Sequence, residues 1–355
     1  MLRNVQALRG IAALAVVIAH ISDSSGIERK WLAGDWYWTG FMHDPGQAGV
    51  DLFFVISGLI MVVTTKRLVA GDATARRFLL RRAIRIYPAY WIATLPILAL
   101  FLVKPDMVNS SMEDPPRILE SLLLLPQPGL PLLMVGWTLT FELYFYLIFA
   151  LVLFLPLAAR LPALTVWGAA TVGLAYLFEG SSNPWLATTA APIVLEFLFG
   201  AVVGWLIVRG TFVLPWLFTL GGVSGAVAVL ALGDFPGPWY RPLVGLPIAV
   251  AVYGIVGLER RSDLVAPQWL QTVGDASYSM YLWHVLVLTA LGRVVLVRLP
   301  ESSLIHGAAL VFSLVAVLVS SLIAYRVVEK PLTEMLREPS DLMPSWTRVQ
   351  ARHAA

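Results

Sequence analysis

Two residues in the first apolar stretch, Arg9 and His20 in ALRGIAALAVVIAHIS (residues 7–22), carry groups that a hydrocarbon environment penalises. On a helix, the eleven-residue step between them advances by roughly 1100°, about 20° beyond three full turns. Both side chains therefore share one face, about 16 Å apart along the axis. A cation and a titratable imidazole at membrane depth usually face a bundle interior or an aqueous cavity. The plainer alternative is an arginine snorkelling to headgroups and a histidine satisfied by a neighbouring helix. Placed in a cavity, His20 has the chemistry of a general base or a transient acyl carrier. Arg9 would orient a ligand or stabilise developing negative charge.

A second stretch, RRFLLRRAIRIYPAYW (residues 76–91), holds five arginines within ten positions, next to Tyr87. A basic run of this kind commonly fixes topology against anionic headgroups. Arg82 and Arg85 are three apart and share a helix face at the bundle entrance. Planar guanidinium forks suit phosphate better than a point charge does, so a phosphorylated ligand from the cytosol is the expectation. Acids inside apolar segments are fewer: Asp51 in GVDLFFVISG (which also carries Ser57), Glu142 in GWTLTFELYFYL and Glu196 in PIVLEFLFG. Each could pair with a buried cation. Glu142, flanked by Trp137, Tyr144 and Tyr146, could instead line a polar pocket. GDASYSMYLWHVLV places Tyr281 and His284 on one helix face. A buried histidine bonded to Ser or Tyr is the commoner outcome, so His284 ranks below His20.

Other schemes lack their residues. There is no G-x-S-x-G elbow, no H-E-x-x-H and no HxxxD pair, and the five histidines have no metal-ligand spacing. No metal is expected. The absence of cysteine removes disulfides and any cysteinyl acyl-enzyme. A net charge of +3 over 355 residues does not suggest nucleic acid.

The elements that must position these residues are membrane helices. The chain is 58% hydrophobic and 13% charged, with a mean hydropathy of +0.77, whereas soluble domains carry roughly 25% charged residues. The expected fold is all-α, a bundle of about ten transmembrane helices at 5–22, 48–65, 86–103, 137–158, 161–178, 188–208, 212–232, 243–258, 277–297 and 304–327. The first run has an internal arginine and no cleavage site, so it reads as a retained helix. Segment 118–133, broken by prolines, reads as re-entrant or interfacial. With the N-terminus inside, seventeen Lys and Arg residues fall on the cytoplasmic side against six outside, which puts both termini in the cytoplasm. The Trp- and Tyr-rich loop 23–47 is expected to be an interfacial anchor, with sugar stacking as the alternative. One transmembrane domain should span 1–335, followed by a loose cytoplasmic tail, 336–355.

In order along the chain, LRGIAALAVVIAH, GVDLFFVISGLIM, RRAIRIYPAYW, WTLTFELYFY, GDASYSMYLWH and VVEKPL resemble the blocks of acyltransferase family three. These integral-membrane enzymes O-acylate surface and secreted glycans. The resemblance covers about residues 4–333, with exopolysaccharide acetyltransferases of the ExoZ type as the nearest subgroup. The SGNH domain that some members carry is missing. The resemblance implies transfer of an acyl group, most often acetyl, from cytosolic acyl-CoA to a sugar hydroxyl of a glycan or its lipid-linked precursor. It also implies a multi-pass protein of the bacterial cytoplasmic membrane. Arg9 and His20 then match the signature pair, and Arg82 and Arg85 the acyl-CoA arginines. The expected assignment is His20, Arg9 and Glu142 as catalytic residues, with Arg82, Arg85 and Tyr87 on the donor. Asp51, Ser57, Trp137, Tyr281 and His284 are substrate or pocket candidates. The competing expectation is a carrier or flippase for a lipid-linked sugar, since transporters also use intramembrane charges.

Overall fold

The computed structural model describes residues 2–25, 38–109, 114–233, 237–300 and 302–336. The core of the aromatic loop, 26–37, and the tail from 337 onward lie outside these residues. Among the described residues the regular structure is entirely helical. The helices are α1 (Arg3–Ser25), α2 (Trp38–Thr65), α3 (Asp72–Val103), α4 (Ile118–Leu123), α5 (Gly136–Val152), α6 (Leu157–Leu177) and α7 (Pro184–Thr189). There follow α8 (Leu195–Arg209), α9 (Pro215–Ala231), α10 (Tyr240–Ser262), α11 (Gln268–Asp275), α12 (Ser277–Val294), α13 (Ser303–Ala324) and α14 (Lys330–Met335). A π-helical turn, Tyr325–Glu329, joins the last two. Helices close their own backbone hydrogen bonds, which is what lipid demands of a spanning segment.

Eight helical segments are long and apolar enough to cross a membrane, and α5 and α9, at 17 residues each, are shorter apolar helices. Together they account for the ten expected runs, with three shifts. The run drawn as 137–158 ends at Val152, because Pro156 is the N-cap of the next helix. α2 begins at Trp38, ten residues earlier than expected. α3 begins at Asp72, so the arginine run lies within a continuous helix rather than at a loop boundary. That start is set by Gly71, whose φ of 139° excludes ordinary side chains, and by Asp72 in the positive first turn.

Segment 118–133 is not a span. It forms only the six-residue α4, then turns at Leu124 with φ 56°. Three donors on α3 satisfy carbonyls there: Tyr87 Oη to Leu123 at 2.9 Å, Tyr90 Oη to Ser121 at 2.7 Å and Trp91 Nε1 to Leu122 at 2.9 Å. Irregular backbone persists at membrane depth when protein donors replace the missing helix partners.

Two groups of helix ends are tied together. At one end the Arg3 and Asn4 amides donate to Glu259, Arg160 donates to the Thr65 and Leu68 carbonyls, and the Gly71 amide donates to Leu153. At the other, Arg241 donates to Gln47, and Tyr176 packs on Trp239 with ring centroids 5.2 Å apart. This grouping follows the alternation on which the Lys/Arg bias rests. Exposed apolar side chains such as Leu95, Val166, Leu217 and Val315 cover the sides, where a bilayer would solvate them. α2 and α8 pack closely: a Cβ at Gly200 would lie 1.9 Å from the Val55 carbonyl oxygen. Small residues let membrane helices approach this far.

Candidate active site

Arg9 from α1, Ser57 from α2, Arg82 and Arg85 from α3, Glu142 and Tyr146 from α5, and Tyr278 and Tyr281 from α12 line one cavity. The space between atoms there, mouth included, is about 730 Å³. The α1 spacing puts Arg9 toward the end of the bundle that holds residues 3–4 and 259. Arg82 and Arg85 enter the cavity while Arg76, Arg77 and Arg81 on the same helix are exposed. One helix thus carries two populations of arginine.

Each charged side chain is held from a different direction. Arg9, 7% exposed, donates from Nη1 to Gln6 Oε1 at 3.3 Å, and Gln6 Nε2 donates to Asp275 Oδ1 at 2.6 Å. The Arg82 guanidinium lies over the Phe78 and Tyr146 rings, 5.5 Å from each centroid, which stabilises the cation without consuming its donors. Its Nε is buried with no hydrogen-bond partner among the described residues. Glu142 Oε1 accepts from Ser57 Oγ at 3.0 Å and from Tyr146 Oη. Glu329, on the π-helical turn, accepts from the Ser279 amide at 3.1 Å and Ser279 Oγ at 2.6 Å, and it stands in the field of Arg9 and Arg85. Three guanidiniums against two carboxylates leave a positive excess. That excess and an unanswered buried N–H fit an anionic ligand with several acceptor oxygens, as an acyl-CoA has.

His20 is not part of the cavity wall. Its ring meets His284 edge to face, with centroids 5.1 Å apart and planes at 72°. His284 in turn lies 5.9 Å from Tyr281, which does line the cavity. Tyr281 is anchored by its hydroxyl, which donates to the Val135 carbonyl at 2.9 Å and lies 2.6 Å from Thr138 Oγ1. His20 Nδ1 is 2.8 Å from the Val16 carbonyl oxygen. A carbonyl only accepts, so the neutral ring carries its proton on Nδ1 and its lone pair on Nε2.

The remaining sequence candidates lie elsewhere. Asp51 pairs with Arg241 Nε at 2.9 Å, beside Glu196. Trp137 packs on Phe141 with centroids 5.9 Å apart, and Tyr87 is engaged by the α4 turn. Sequence reasoning does not single out Glu329, Gln6, Asp275 or Thr138. The one available signal is an acid at the end of the apolar α13 segment, and it marks Glu329.

The fold defines a multi-pass, all-helical membrane protein with a basic cavity among its helices. The chain belongs to the acyltransferase domain family, acyltransferase family three, whose model matches residues 2–326. It is 34% identical to the exopolysaccharide production protein ExoZ of Rhizobium meliloti over 311 residues, covering 83% of this chain and 92% of that one. It is 26% identical over 352 residues to the putative membrane-bound transacylase BcsY of Komagataeibacter xylinus, covering 92% and 82%. It is also 26% identical over 317 residues to nodulation protein 10 of Rhizobium leguminosarum bv. viciae, covering 81% and 83%. No solved structure matches the chain.

Proposed function

We propose that this protein transfers an acyl group, acetyl in the first instance, from cytosolic acyl-CoA to a sugar hydroxyl of an exopolysaccharide or its lipid-linked precursor. The observation that carries the reading is the convergence of Arg9, Arg82 and Arg85 on one cavity, with the His20–His284 pair behind its Tyr281 wall. Membership of the acyltransferase family supports the reaction class, and the names of the ExoZ and BcsY relatives support a glycan acceptor and membrane-bound transfer. Arg82 and Arg85 hold donor phosphates. Arg9 orients the thioester end, and Glu142, fixed by Ser57 and Tyr146, sets the polarity between them. In direct transfer, the acceptor oxygen forms its bond to the acyl carbon as the C–S bond breaks. The hydroxyl proton passes to His20 Nε2 and then to the departing thiolate. In a covalent route, Nε2 would carry the acyl group between the two steps.

Purified protein with labelled acetyl-CoA and native glycan tests both halves of this assignment. His20→Ala and His20→Gln should each lower kcat by about 100-fold or more, within the range that general-base removal produces. Arg82→Lys combined with Arg85→Lys should insert normally and raise the KM for acyl-CoA with little change for the acceptor, because lysine lacks the planar fork. Full transfer by both His20 variants removes the catalytic role. Unchanged donor kinetics in the double lysine variant removes the phosphate site. Sugar-lipid transport in liposomes without acyl-CoA binding would favour a carrier instead.

A further inference from the structure

Behind the cavity wall, His284 is wholly enclosed: it is 0% exposed, and its Nε2 has no hydrogen-bond partner among the described residues. Its other nitrogen, Nδ1, lies 3.1 Å from the Met280 carbonyl oxygen, one helical turn back on α12. That carbonyl can only accept, so the neutral ring keeps its proton on Nδ1 and buries a bare lone pair on Nε2. His20 is built the same way on α1, its Nδ1 against the Val16 carbonyl one turn back. Two helices therefore present two imidazoles in the same tautomer, in edge-to-face contact with centroids 5.1 Å apart. A histidine kept only for packing could be replaced by any ring of similar size. A buried acceptor left without a donor is unfavourable, and native structures seldom keep one without a use.

We propose that His284 is a positioning residue for acyl transfer, holding the His20 ring by edge contact and setting beside it a neutral ring whose Nε2 carries no proton. The inference rests on the assignment of His20 as base. Proton transfer from the acceptor turns His20 into an imidazolium, and a neighbouring ring with a bare nitrogen stabilises that charge without offering a competing N–H. A third group that orients the base is the general arrangement of nucleophile and base pairs. His284 does not line the cavity but touches its wall at Tyr281, so it acts on the reaction through His20 rather than on the substrate.

The test uses the full-length protein with His284→Phe, His284→Gln and His20→Ala in one kinetic series. Phenylalanine keeps the ring and loses the nitrogen acceptor; glutamine loses the ring and keeps an acceptor oxygen. His284→Phe should lower kcat about 10- to 100-fold with the KM for acyl-CoA unchanged, and His284→Gln should recover part of that loss. A wild-type kcat in His284→Phe overturns the inference, and so does equal loss in both variants with a raised KM. An active His20→Ala would instead overturn the reading of His20 as base, which separates the two failures. If His284→Phe does not fold, long-range ¹⁵N–¹H spectra of histidine-labelled wild-type protein decide, with His284→Gln giving the assignment. An unprotonated Nε2 at His284 is expected, and an Nε2–H there overturns the proposal.

Discussion

Buried charge in this protein is of two kinds, and Glu196 marks the boundary between them. It is 0% exposed and lies against Asp51, and apart from that carboxyl neither of its oxygens has a hydrogen-bond partner among the described residues. Arg241 serves Asp51 at 2.9 Å and Gln47 through Nη1, so one guanidinium answers for two acids. This cluster joins α2, α8 and α10 outside the cavity lining. Glu196→Gln should therefore be tolerated, because an amide supplies donors where the carboxylate has none. Arg241→Met leaves both buried acids without a cation and should cost about 3–5 kcal/mol. Thermal unfolding in detergent checks the contrast. If Glu196→Gln proves as damaging as Arg241→Met, the cluster is not the structural pair its geometry indicates.

At the scale of elements, the cavity helix α2 packs against α8 with no room for a side chain at the crossing. Gly200 has no room for a methyl: a Cβ there would sit 1.9 Å from the backbone oxygen of Val55, which no rotamer change can move aside. Gly200→Ala should separate the two helices and lower stability by about 1–3 kcal/mol, the usual penalty of overpacking. Thermal unfolding of both variants checks this: a matching loss at Gly173, which has open space around it, would argue against the cause. Such crossings also explain what the sequence could and could not reveal. Apolar run lengths and proline placement made the helices and the broken 118–133 segment legible, because backbone satisfaction in lipid leaves few choices. The three-residue spacing of Arg82 and Arg85 pointed to a shared face, and both do enter the cavity. Pairings across long sequence separations carry no local signal: Asp51 with Arg241, Ser279 with Glu329, and His20 with His284 exist only once the helices pack. The early start of α3 escapes a hydropathy reading because a dense basic run resembles a loop, although its propensities suit a helix.

For the whole molecule, orientation decides which compartment supplies each substrate. The helix ends tied through Glu259, Arg160 and Gly71 include the exposed Arg76, Arg77 and Arg81, close to the cavity's Arg82 and Arg85. The positive-inside rule assigns that end to the cytosolic side, the side from which the proposed acyl-CoA donor would enter. The sequence contains no cysteine, so single substitutions report position without background. Lys66→Cys and Arg260→Cys should stay unlabelled by a membrane-impermeant maleimide in intact cells and become labelled once the membrane is opened. Asp106→Cys and Glu179→Cys, exposed at the opposite ends of α3 and α6, should be labelled in intact cells. The reverse pattern would put the arginine cavity on the side that lacks the donor, and acyl-CoA could then reach Arg82 and Arg85 only by crossing the bundle past His20.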